Sequence, residues 1–197
     1  MRPKPLAESF KFFSRFASDP GAVGAIAPSS PGLARAMVSW IDWTAVDAVA
    51  EYGPGTGPFT AQILANRMEG ARFFAVERDP ELAGRFRSHF PGEHLHVDSV
   101  ENIAAICASE GVEQLDAVIC GLPWASFSPD LQARLLDETA GILRKGGYFA
   151  TFAYLSGFAV RGAHRFQRLL PEYFSQVGRS PVVWRNLPPA FVYRCRR

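Results

Sequence analysis

Four short stretches of this 197-residue chain carry side chains and bare main chain suited to a polar small molecule. The first reads Glu51-Tyr52-Gly53-Pro54-Gly55-Thr56-Gly57. Gly53, Gly55 and Gly57 tolerate the positive φ of a tight turn and put no Cβ between a ligand and the backbone. Glu51, just ahead of them, can accept hydrogen bonds from the ammonium of a bound amino acid moiety. Glu77 comes twenty residues after Gly57, the distance at which a carboxylate meets both ribose hydroxyls in dinucleotide folds. Asp98, with Ser99 beside it, can accept from an adenine amino group, although Asp98-x-x-Glu101 also has the spacing of a helix cap. The fourth stretch is Gly121-Leu122-Pro123-Trp124, a proline turn able to aim backbone carbonyls at a nucleophile. Its Trp124 offers the best aromatic face for an ammonium. In this order the four suit a nucleoside cofactor carrying an amino acid, followed by an acceptor.

The elements that must position these residues alternate from residue 44 onward. Residues 46–52 are β-branched and apolar and end at the glycines, and 59–66 then reads as helix. Residues 73–76 form a second strand ending at Glu77, after which Asp79 caps a helix with Pro80 at its first position. Residues 94–97 make a short third strand ending at Asp98, and 117–120 a fourth, closed by Gly121. Residues 131–143 have helical spacing and stop at Arg144-Lys145-Gly146-Gly147, with cations in the last turn and glycine after it. A fifth strand over 148–154, a helix around 166–170 and two late strands near 176–184 and 190–195 complete the pattern. Such alternation implies an α/β, Rossmann-like doubly wound sheet of seven strands, mostly parallel, with an antiparallel last strand. Each of the four stretches then falls at the carboxyl end of a strand, where such sheets bind ligands.

Composition narrows the setting. At 48% hydrophobic and 20% charged, the chain can fill one core and resembles neither a disordered tail nor a membrane bundle. No apolar run approaches a membrane span, and no secretory signal is evident. Cys107, Cys120 and Cys195 are scattered and odd in number, which suits reduced thiols in the cytoplasm. No metal-ligand spacing and no obligate protein partner are evident.

The net charge of +2 hides an asymmetry: five basic and two acidic groups in 1–38, eleven against seventeen in 39–177, and five arginines with no acid in 178–197. Basic ends suit a phosphate, an anionic membrane surface or nucleic acid, or are simply solvated arginines. Within 6–17, Leu6, Phe10, Phe12, Phe13, Phe16 and Ala17 share one broad helical arc opposite Glu8, Lys11, Ser14 and Arg15. That face suits either an interfacial membrane helix or a lid packed on the core. Ser30 before Pro31 then caps a helix over 33–40.

The glycine turn departs from the dinucleotide fingerprint, which wants glycine where Pro58 stands. An acidic residue followed by G-x-G-x-G instead resembles motif I of the class I S-adenosylmethionine-dependent methyltransferases. Arg144-Lys145-Gly146-Gly147 and the two late strands are similar to that family as well. The resemblance implies an enzyme that binds S-adenosyl-L-methionine through Glu51, Gly53, Gly55, Gly57, Glu77, Asp98, Ser99 and Gly121. Leu122, Pro123 and Trp124 would then form the acceptor turn, where amine methyltransferases carry Asn/Asp/Ser-Pro-Pro-aromatic. Gly121 has no side chain to hold a planar base, which points to an aliphatic amine rather than adenine.

Residues 21–31, the Gly121–Trp124 turn and Leu187-Pro188-Pro189-Ala190 resemble bacterial phospholipid N-methyltransferases, which methylate phosphatidylethanolamine. That likeness implies a cytoplasmic enzyme, peripheral on the membrane, with 1–40 as amphipathic helix and lid and 41–197 as catalytic domain. Partly shared motifs in the rRNA adenine dimethylases leave an RNA or DNA adenine N6-methyltransferase as the alternative. Those enzymes usually add a helical C-terminal domain, which this chain is too short to contain.

Overall fold

The computed structural model describes residues 29–197. The amphipathic run at 6–17, and all of the expected lid up to residue 28, lie outside the described residues.

Helices α1 (Pro31–Val38), α2 (Pro58–Asn66), α3 (Pro80–His89), α4 (Ile103–Ser109), α5 (Pro129–Ile142) and α6 (Arg161–Tyr173) are interleaved with the strands. The strands are β1 (Ala48–Tyr52), β2 (Arg72–Glu77), β3 (His94–Val97), β4 (Leu115–Cys120), β5 (Leu143–Tyr154), β6 (Gln176–Arg179) and β7 (Ala190–Arg196). Four helices start on a proline, where the missing N–H had no intrahelical partner to lose. Ser30, Asp79 and Ser128 cap three of them through side-chain oxygens.

The sheet order is β3-β2-β1-β4-β5-β7-β6. Strands β1 to β5 run parallel, and β7 is antiparallel to both β5 and β6. This is the mixed, mostly parallel sheet expected from the alternation. The insertion of β7 between β5 and β6 is a long-range choice that local pattern does not encode. Side chains alternate between two cores: Val49 and Ala117 meet α1, α2 and α3, while Ala50 and Val118 meet α4, α5 and α6. Leu33 and Met37 of α1 are fully buried, so that helix belongs to the main core.

Two expectations need correction. Arg144 and Lys145 do not end a helix: α5 stops at Ile142, Leu143 is already extended, and 144–147 open β5. The fully buried Leu143 side chain and the pairing of Leu143 with Leu115 draw the backbone into the sheet at once. Arg144 turns back to Asp116 and to the Ala45 carbonyl. The strand expected over 176–184 breaks after Arg179, because Pro181 has no N–H to give the ladder. The Ser180 hydroxyl compensates by accepting from the Val192 N–H at 2.9 Å.

At the far edge, His94 and His96 of β3 both reach the Glu110 carboxylate, at 3.0 and 2.6 Å. Burial pushes that carboxyl up, but the two imidazoles outweigh it and hold it below the usual range. A depressed carboxylate contributes stability that is full above its unfolded value of 4.5 and is lost as pH falls through the lower native value. Glu110→Gln should therefore lower the melting temperature at neutral pH by about 2 °C. Its melting temperature should also fall less steeply than that of the wild type between roughly pH 5 and 3. Parallel acid limbs in a pH series of thermal melts would refute this.

Candidate active site

β1 and β4 are neighbours, yet the chain leaves β1 toward β2 and leaves β4 toward β5. That divergence opens a crevice at their carboxyl ends. Gly53, Gly55 and Gly57 follow β1 with φ of 64°, 56° and 84°, the left-handed region that L side chains avoid. The Gly53 N–H donates to Val76 O at 2.9 Å and the Gly121 N–H to Tyr52 O at 2.7 Å, tying the turn to β2 and to the turn after β4. A Cβ on Gly121 would lie 2.6 Å from Gly53 O, closer than any side chain tolerates. The missing acceptor side chain at Gly121 thus has a steric cause: the first turn fills its place. A Cβ on Gly55, by contrast, meets nothing within 4 Å, so the main chain there is bare.

A narrow cleft of about 30 Å³ beside this turn is lined by Gly53, Val76, Glu77, Arg78, Asp98, Ser99, Val100, Leu122 and Leu131. Glu77 is 4% exposed and accepts from the Asp79 N–H at 3.0 Å. Burial raises its pKa, opposed by the N–H groups of Asp79, Arg78 and Gly55. Asp98 accepts from the Ser99 N–H at 2.6 Å and from Asn102 Nδ2 at 2.7 Å. The cap of the following 3₁₀ turn is Ser99, which accepts from the Glu101 N–H, so Asp98 does not form a capping box.

Glu51 is wholly buried and faces α2, where Thr60 Oγ1 donates to Oε2 at 2.7 Å. Its Oε1 has no partner. Burial, only partly offset by Thr60, pushes this carboxyl up to about 8. An unpartnered buried acceptor beneath bare main chain, with a second carboxylate on the cleft wall, fits a ligand bearing an ammonium and ribose hydroxyls.

Leu122 also lines a second cavity of about 260 Å³, formed with Pro123, Trp124, Phe152, Tyr154, Val160, Phe166 and Tyr193 among others. Among the described residues no Asp, Glu, His, Lys or Arg lines it. The sequence reading of Trp124 needs correcting here. Its ring is 3% exposed, stacked on Phe166 at 4.4 Å and 17°, with Phe127 and Phe149 against its edges. Phe166 covers one face, and the ring, though it helps line the cavity, presents little surface to an ammonium. The half-buried Phe152 and Tyr154, alternate residues of β5 with rings 5.3 Å apart, carry the accessible aromatic surface instead.

The structure therefore brings Gly53, Glu77, Asp98, Ser99 and Leu122 to one cleft and Leu122, Pro123 and Trp124 to the next, with Glu51 sealed underneath. Sequence reasoning missed Thr60, Arg78, Phe152, Tyr154 and Tyr193. The period-two spacing of Phe152 and Tyr154 at the end of a strand was the available signal; Thr60 has none, because only the helix packing brings it to Glu51.

Comparison with known proteins fits this arrangement. Residues 50–151 match the methyltransferase domain family, and the chain belongs to the S-adenosylmethionine-dependent methyltransferases. Over 97% of its length it is 33% identical to an ornithine lipid N-methyltransferase of Singulisphaera acidiphila, and the match covers 97% of that protein. An O-methyltransferase from Bacillus cereus in complex with SAH superposes with a TM-score of 0.71 at 14% identity, covering 100% of this chain and 93% of that one. The N-methyltransferase NodS from Bradyrhizobium japonicum gives 0.65 at 17% identity over 84% and 92%. These two share the fold.

A carboxyl raised in the folded state contributes stability below its unfolded value of 4.5 and loses it as pH climbs toward about 8. Glu51→Gln should raise the melting temperature of the ligand-free protein at pH 8 by about 5 °C and flatten its pH dependence. The same variant should bind S-adenosylhomocysteine about tenfold more weakly by calorimetry. Gly121→Ala should displace the first turn and weaken that binding by a comparable factor. Wild-type affinity in Gly121→Ala would show that the two turns are not coupled.

Proposed function

We propose that this chain transfers methyl groups from S-adenosylmethionine to the headgroup amine of a membrane lipid at the bilayer surface. The observation that carries this reading is the uncharged, largely apolar acceptor cavity that begins at Leu122, where the cofactor cleft ends. A cavity with no charged side chain among its described lining suits a neutral aliphatic amine. Gly121 likewise lacks the side chain with which an adenine would be held, which sets the nucleic-acid reading behind. Full-length similarity to an ornithine lipid N-methyltransferase supports the same class. Ornithine and ethanolamine headgroups both end in a primary aliphatic amine, and phosphatidylethanolamine remains the acceptor we favour from the sequence.

In this reading Gly53 and Gly55 give the cofactor bare main chain, while Gly57 and Gly121 let the turns close against Phe90 and the Gly53 carbonyl. Glu77 takes its ribose, Asp98 and Ser99 its adenine side, and the Oε1 of Glu51 its ammonium, directly or through water. The bound cofactor supplies an electrophilic methyl group on a sulfonium. Leu122 and Pro123 direct the acceptor nitrogen toward the cleft, Trp124 fixes their turn from behind, and Phe152 and Tyr154 flank the amine with aromatic faces. The nitrogen must arrive neutral, and with no histidine or carboxylate among the described lining residues its proton passes to water. Burial pushes the Tyr154 hydroxyl up to about 12, which keeps it a neutral donor.

Labelled cofactor supplied with mixed detergent micelles of phosphatidylethanolamine or of ornithine lipid should place label in the lipid. Label in RNA, with none in either lipid, would overturn the proposal. Phe152→Ala should lower kcat/KM for the lipid about tenfold while leaving S-adenosylhomocysteine affinity unchanged. An undiminished kcat/KM would remove Phe152 from the acceptor site.

A further inference from the structure

We infer that the turn between β6 and β7 is a docking tip that seats the mouth of the acceptor cavity on an anionic phospholipid bilayer. Its purpose rests on the lipid-amine reading; its support comes from other residues. Trp184 is 69% exposed and Leu187 68%, more than any other large apolar side chain among the described residues. They stand on one turn, with the exposed Arg185 between them.

The turn holds them outward. Asn186, in the middle, is 2% exposed; its Oδ1 accepts from the Ser30 N–H at 2.9 Å and its Nδ2 donates to Pro188 O at 2.7 Å. Its own N–H donates to Val183 O at 3.2 Å, and Val183 bridges to Ala190. With Asn186 anchored inward, the residues on either side of it are left to solvent. The Leu155 N–H donates to Pro189 O at 2.9 Å, which joins the turn to the segment whose Ser156, Gly157 and Val160 line the acceptor cavity.

Charge selects the occupant. Residues 155–197 carry eight arginines against a single acid, Glu172, whereas 29–154 carry sixteen acids against nine basic groups. Arg194, Arg196 and Arg197 lie at the far end of β7, so at the turn itself the cation that meets an anionic surface is the exposed Arg185. Tryptophan at headgroup depth, leucine below it and arginine on the phosphates is the chemistry of a bilayer interface. Nucleic acid would meet the arginines but gives Leu187 nothing to enter.

The test uses the full chain. Trp43 and Trp124 are buried and Trp40 is half-buried, so the environment-sensitive part of the tryptophan emission comes from Trp184. Vesicles of phosphatidylglycerol and phosphatidylcholine with brominated chains should shift that emission to the blue and quench it, and Trp184→Phe should abolish both effects. The double variant Trp184→Ser with Leu187→Ser should cut the vesicle-bound fraction at least about tenfold in sedimentation, with melting temperature and S-adenosylhomocysteine affinity unchanged. Transfer to lipid in detergent micelles, measured alongside, separates the two claims: if the wild type fails there, the lipid-amine reading falls while the emission still judges the turn. Vesicle binding with unshifted, unquenched emission would overturn the docking tip. So would a double variant that binds like the wild type, or a shift produced by RNA and not by vesicles.

Discussion

The close crossing of two backbones, where a glycine after β4 lies against the carbonyl of a glycine after β1, constrains everything else at this site. The two strand ends come this near only because the turn after β4 carries no Cβ at the crossing. The contact fixes the height at which Leu122 emerges, and Leu122 is the wall shared by both cavities. It also decides the chemistry of recognition. Where the acceptor position has no side chain, selection falls to shape and to aromatic surface contributed by β5 and β7.

The distribution of charge follows a consistent logic. On the cofactor side two buried carboxylates are raised by desolvation and wait for a ligand's donors. The described lining of the second cavity carries no charged side chain, so an amine entering it as proposed gains nothing from staying protonated. A wall of hydrocarbon separates the two regimes.

Much of this was legible in the sequence because the relevant signals are local. Proline after Ser30 and Asp79, β-branched runs, and glycines after an acidic residue each dictate backbone within a few residues, and those elements formed as expected. What failed was nonlocal. Arg144 and Lys145 look like the end of a helix until the pairing of Leu143 with Leu115 pulls them into a strand. Trp124 has the right residue type for binding a cation, but Phe166, forty-two residues further along, takes its face. Thr60 came to matter only through the placement of α2 over β1. A motif specifies which chemistry is on offer, and packing decides whether the groups that carry it remain accessible.

The strand order has a consequence for how the molecule is made. β6 pairs only with β7, which follows it in the chain yet lies between it and β5. During synthesis β6 must therefore leave the ribosome without a partner and wait for the segment that will flank it on one side and β5 on the other. Tyr193, on that later strand, closes the acceptor cavity. The nucleoside-binding half of the sheet can assemble while translation continues, whereas the chamber for the second substrate is completed only when the later strand slides into the gap.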